Sequence, residues 1–77
     1  MMRKQRIEYN SPVDTIVAIA KRLQSFENNY KMTSEEFYNR YAKGQLDDTI
    51  DFTEWSNNYQ HYLAIRNEIE GTLRHVA

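Results

Sequence analysis

The 77-residue sequence contains no cysteine, one proline and only two glycines. Without thiols, neither a disulfide nor a thiolate metal site can supplement a thin core. So little glycine and proline excludes a linker-rich or low-complexity chain. Long apolar runs are missing too. The longest is Ile16 to Ala20, far short of the roughly 20 residues that cross a bilayer. The basic start at Arg3, Lys4 and Arg6 leads into Glu8, Pro12 and Asp14, which interrupt any secretory apolar stretch. A cytoplasmic protein with no membrane segment is the reading. No charge of one sign dominates, since the net charge is −1. A domain that binds DNA by itself presents a basic face, and none is visible. Nucleic acid is therefore not expected as a partner of this chain alone.

A chain this short forms one small domain and buries only about 60% of its unfolded surface. The compensation must come from aromatic packing or from a second chain. Aromatic residues make up 13% of the sequence, and six of them are tyrosine, so both routes are open.

Three helices are written into the remainder. Ser11 is placed to cap a first helix, with Asp14 three residues on and Pro12 at the first helical position, where its missing donor costs nothing. Ile16, Ile19, Leu23, Phe26 and Tyr30 then recur at three and four, and Val13, Val17 and Ala20 widen the stripe. Asn28 and Asn29 are the expected terminators, because asparagine tolerates the left-handed conformation. Thr33 and Glu36 have capping-box spacing, and Met32 and Phe37 form a hydrophobic staple across it. This predicts a second helix of about ten residues, with Phe37, Tyr38, Tyr41 and Ala42 inward. Glu36 and Arg40 pair on its outer face, and Gly44 stops it. Asp48 or Thr49 caps the third helix, and Asp51 and Glu54 favour its positive end. Phe52, Trp55, Tyr59, Tyr62, Arg66, Ile69 and Leu73 repeat along it, with Leu63 and Ile65 on the flanks. Ser56, Asn57 and Asn58 are poor helix formers, so a fray or kink is expected there. Gly71 is a second weak point.

The predicted fold is all-α: two long antiparallel helices with a short helix between them, preceded by an N-terminal extended arm. The arm covers residues 1–10 and the helical domain residues 11–77. A ten-residue helix is too short to cover two helices that each reach about 30 Å. Apolar stripe should therefore stay exposed on the monomer, which predicts a homodimer.

Catalytic chemistry finds no foothold. The two histidines, His61 and His75, stand fourteen apart on one helix and cannot share a metal within one chain. The run Asp47, Asp48, Asp51 and Glu54 lacks the alternating ligands and the central glycine of a calcium loop. A helix start explains most of these acids. No catalytic residue, metal site or cofactor is predicted.

Charge is nonetheless uneven. Residues 1–22 carry five Lys/Arg against two acids, whereas residues 44–60 carry four acids and no base. Two segments are therefore candidates for contact with a partner. The first is the leader, Arg3, Lys4, Arg6, Ile7 and Tyr9, which fits no helix stripe and whose alternation suits pairing along a sheet edge. The second is the acidic turn, Asp47, Asp48 and Asp51.

The stretch from Phe26 through Glu27, Tyr30, Met32, Thr33, Ser34, Glu36, Phe37 and Tyr38, followed by Gly44, then Asp51, Phe52, Glu54 and Trp55, then Tyr59, has a recognisable order. It resembles small helical proteins of bacteria and archaea with an F-E-x-x-Y-x-M-S/T-S-x-E-F-Y…G…D-F-x-E-W…Y pattern. The resemblance covers about residues 23–66. Some of those proteins are thought to be antitoxins of toxin–antitoxin pairs. The resemblance thus implies a non-enzymatic protein that masks a cognate toxin by surface contact, and it carries no catalytic residues. The competing reading of the residues is a structural or regulatory helical homo-oligomer.

Overall fold

Ser11 opens the first helix, and it does so through its side chain. Its Oγ accepts the N–H of Asp14 at 3.1 Å, meeting one of the donors that every helix start leaves unpaired. A computed structural model of the protein describes residues 11–76, with side chains through residue 73. Within it α1 spans Pro12–Tyr30, α2 spans Ser34–Ala42 and α3 spans Ile50–Val76. The described residues contain no strand, so the chain is all-helical there. The arm proposed for residues 1–10 lies outside the described residues.

The end of α1 differs from expectation. Asn28 and Asn29 stay helical, and the left-handed residue is Lys31, with φ 59° and ψ 41°. Its N–H donates to the Glu27 carbonyl at 2.8 Å. The reason is packing. One further helical residue brings the Tyr30 ring onto Phe52, at a centroid distance of 5.1 Å, and onto Trp55, at 5.7 Å. These contacts outweigh the weak preference of asparagine for a helix end.

The second helix begins as its spacing predicts. Thr33 Oγ1 accepts the Glu36 N–H at 3.0 Å. Met32 lies half-buried against the core and Phe37 is fully buried, as a staple requires. Glu36 does not complete the box, because its carboxylate accepts from Arg40 at 2.9 Å. A neighbouring donor of the first turn is met from α1. Glu27 Oε2 accepts the Ser34 N–H at 2.9 Å. At the far end Gln45 N–H reaches the Arg40 carbonyl and Gly44 N–H that of Tyr41, a full Schellman closure. Gly44 sits at φ 75°, where a glycine is needed.

Thr49, and not Asp48, caps α3: its Oγ1 accepts the Phe52 N–H at 3.0 Å. The expected break at Ser56–Asn58 is absent, and α3 runs on through Gly71. Ser56 is buried and accepts from Gln60 Nε2 at 3.1 Å, and Asn58 Nδ2 donates to the Glu54 carbonyl at 2.8 Å. Local hydrogen bonds and burial thus hold the stretch that propensity disfavours.

The core consists of Ile19, Leu23, Phe37, Trp55 and Ile65, so each helix contributes. Trp55 is its centre. The Phe37 ring lies parallel to it at 3.9 Å, and Phe26 stacks at 5.4 Å. Trp55 Nε1 donates to Ser34 Oγ at 2.8 Å. Ile65, expected on a flank of the α3 stripe, is buried, whereas Leu73 is 64% exposed. Val13 and Val17, expected to widen the α1 stripe, are 54% and 50% exposed. The lengths account for this. Nine residues of α2 reach about 14 Å and the 27 of α3 about 40 Å.

Three substitutions test this packing by urea or thermal unfolding. Phe37→Ala should cost about 3–5 kcal/mol. Ser34→Ala, which strands the buried indole N–H, should cost about 1–3 kcal/mol. Phe37→Ala melting like the parent would show that the ring is not core. Lys31→Gly relieves a left-handed side chain at a cost of about 1–2 kcal/mol, offset by the ~0.5–1 kcal/mol entropy of glycine. It should leave stability unchanged or raise it by about 1 kcal/mol. A loss of that size would mean that the Lys31 side chain contributes a contact.

Candidate binding groove

All three helices leave a groove of about 450 Å³ between them. Its α1 wall consists of Ala20, Leu23, Gln24 and Glu27, spaced so that one helix face presents them together. The start of α2 supplies Thr33, Ser34 and Glu35, and α3 supplies Tyr59, Tyr62 and Arg66. The α3 residues again follow three-and-four spacing, one turn beyond Trp55. The groove is therefore the continuation of the aromatic core at the start of α2.

Its chemistry is aromatic and charged at once. Tyr59 tilts against Tyr38 at 5.3 Å and lies nearly parallel to Tyr62 at 6.1 Å. The Arg66 guanidinium stands over the Tyr62 ring, 5.9 Å from its centroid. Arg66 Nε is 3.9 Å from Glu70 Oε2, with both side chains about half-exposed, a pairing worth little in solvent. Burial, followed by the Glu35 charge, pushes the Tyr59 phenol above its ordinary value, and Arg66 opposes this. Both Glu35 and Glu27 thus act on the ring that forms the groove floor. These groups are suited to binding: ring faces and carboxylates recognise a cation or a polar side chain.

The acidic turn has a different part. Asp48 Oδ1 accepts from the Tyr41 hydroxyl, and Asp51 Oδ2 from the Tyr30 hydroxyl, each at 2.5 Å. Tyr41 also lies 3.4 Å from Thr53 Oγ1. Two of the three acids thus tie α1 and α2 to the start of α3. Asp47 is exposed beside them. Arg3, Lys4, Arg6, Ile7 and Tyr9 lie outside the described residues. His61 is exposed on α3. No group of three metal-ligating side chains occurs among the described residues. No helix there is long and apolar enough to cross a membrane.

Reading the sequence identified the tyrosines of α3 as a stripe and Arg66 as its interruption, but not the groove. Glu35 had no pattern to mark it. Glu27 reaches Ser34 across seven residues and a turn, a pairing that no local spacing announces.

The tyrosine bonds carry a pH dependence. The hydrogen bond to Asp51, then desolvation, then the Asp51 charge hold the Tyr30 phenol above its ordinary value of 10.0. The folded chain therefore binds this proton more tightly than the unfolded one. The stabilisation is complete below about pH 10 and is lost as pH rises through the folded-state value. Tyr59 acts in the same direction. Urea unfolding between about pH 8 and about pH 11 should show stability falling at the alkaline end. Tyr30→Phe should make that fall shallower. Equal steepness in parent and variant would remove Tyr30 as its source.

Comparison with protein-family models, with curated proteins and with solved structures gives no match to this chain.

Proposed function

We propose that this chain is a non-enzymatic partner-binding protein of antitoxin-like type, which masks a toxin in the cytoplasm by surface contact. The observation that carries the reading is the groove: Tyr59, Tyr62 and Arg66 line an open surface with Glu27 and Glu35 opposite. Tyrosine and arginine are the side chains that most often dominate binding energy at protein interfaces. The toxin as partner rests on the sequence resemblance. The two long helices, α1 and α3, are taken to run antiparallel, since Tyr30 meets Phe52 while Ala20 and Leu23 share the groove with Tyr62 and Arg66. That arrangement makes the groove a continuous strip along both helices.

A second feature favours self-association. Val13, Val17 and Leu73 are all half-exposed or more, and apolar surface of this kind is commonly covered by a second copy. A homodimer held there leaves the groove free for the partner. The basic leader remains a candidate second contact, as an arm laid along a partner's sheet edge.

Co-expression with the product of the neighbouring gene tests the reading. The full chain should retain that product in a pull-down and relieve any growth defect it causes. Glu35→Lys should weaken retention, because it reverses a groove charge without touching the core. Removal of residues 1–10 reports separately on the arm. No retention by the full chain would leave the antitoxin reading without support. Light scattering at micromolar concentration should give a dimer, and a strict monomer with a cooperative melt would exclude one.

A further inference from the structure

We propose that the groove is an arginine-recognition site, taking the guanidinium of an extended segment of the partner protein against the Tyr59 ring and the Glu35 carboxylate. This rests on the partner-binding reading and names the chemistry that it uses.

Three observations converge on it. First, the chain already performs this recognition on itself. Arg66 stands 5.9 Å from the Tyr62 centroid, within the range at which a ring face attracts a cation. Tyr59 lies nearly parallel to Tyr62, and among the described residues no cation stands over its ring. Tyr38 packs against the same ring at 5.3 Å, and the part of Tyr59 left uncovered lines the groove. Second, the two carboxylates are not equivalent. Glu27 commits one oxygen to the Ser34 N–H and is fixed in place. Glu35 is exposed at the first turn of α2, and neither carboxylate has a salt-bridge partner among the described residues. A planar guanidinium on Tyr59 has the Glu35 carboxylate within the same groove to receive its N–H fork. Third, the volume of about 450 Å³ falls within the range of small-molecule pockets and exceeds what one arginine side chain fills. The site therefore has room for the backbone on either side of it.

Lysine fits less well. Its compact, strongly hydrated ammonium gains less from a ring face and cannot bridge two acceptors as a planar fork does. An anionic ligand is disfavoured by Glu27 and Glu35, although Arg66 stands at the groove edge. The sign of the Arg66 effect therefore separates the two chemistries. If the groove takes a cation, Arg66 repels the ligand and competes with it for the tyrosines. If the groove takes an anion, Arg66 attracts it.

The test uses the full chain and a capped peptide with a single arginine flanked by glycine and serine. The control is the same peptide with citrulline, which keeps the shape and removes the charge. Binding is read from backbone amide shifts, with a thermal melt of each variant as the check on folding. Arginine peptide should shift the amides of Glu35, Tyr59 and Tyr62, and citrulline peptide should bind about tenfold more weakly. Glu35→Gln should weaken arginine binding about three- to tenfold, and Arg66→Ala should strengthen it by a similar factor. Equal shifts from the two peptides would overturn the proposal. So would weaker binding in Arg66→Ala, or shifts confined to Asp47 and its neighbours. Concentration-dependent shifts of the groove amides without peptide would also overturn it, by making a second copy the occupant. A toxin pull-down that fails while the peptide binds would refute the antitoxin reading and leave the arginine site standing.

Discussion

The fold depends on one buried side chain with a polar requirement. Trp55 is fully enclosed, so its indole N–H must find an acceptor inside the protein. It finds Ser34 Oγ at 2.8 Å, at the first position of α2. That bond sets where α2 begins relative to α3. Glu27 then accepts the backbone N–H of the same serine, which sets α2 relative to α1. One residue at a helix start thereby fixes all three helices. The rings complete the arrangement: Phe26 and Tyr30 from α1 and Phe37 from α2 all meet Trp55. Aromatic stacking supplies the area that aliphatic residues supply in larger domains, and this is how a chain without disulfides closes a core of five buried hydrophobic residues.

What could be read in advance follows from the range of each interaction. Ser11, Thr33 and Thr49 cap their helices through N–H groups three residues away, so sequence spacing reveals them. Gly44 closes α2 because only its own φ is at issue. Asn28 and Asn29 were legible as stops only by propensity, which is worth a few tenths of a kcal/mol. The Tyr30 ring contacts form across 22 and 25 positions and prevail. The same holds at Ser56–Asn58, where burial of Ser56 keeps α3 unbroken. The groove was the least legible feature. Its residues come from three helices, and neither Glu27 nor Glu35 stands out in any single one of them.

The acidic turn shows how a charge cluster takes on a structural role. Asp48 and Asp51 each accept from a tyrosine hydroxyl, one from α2 and one from α1. Each bond joins a phenol hydroxyl of one helix to a carboxylate at or just before the start of α3. Asp51 also lies in the first turn of α3, where the helix dipole favours its charge. The negative charge between residues 44 and 60 thus reflects two inter-helix ties and a helix start.

The length of α2 divides the molecule into two regions with different tasks. Where α2 covers α1 and α3, the interface is ring on ring, and the polar groups are paired. At the start of α2 the aromatic row on α3 continues as Tyr59, which Tyr38 of α2 still meets at 5.3 Å, and Tyr62, and both line the groove. Opposite it α1 presents Ala20, Leu23, Gln24 and Glu27. The tyrosines keep hydroxyls that tolerate water, so the row remains compatible with a free chain. Further along, Val13, Val17 and Leu73 are exposed and wholly apolar. The order along the helices, from closed core to polar groove to apolar end, follows from a nine-residue helix set against a 27-residue one.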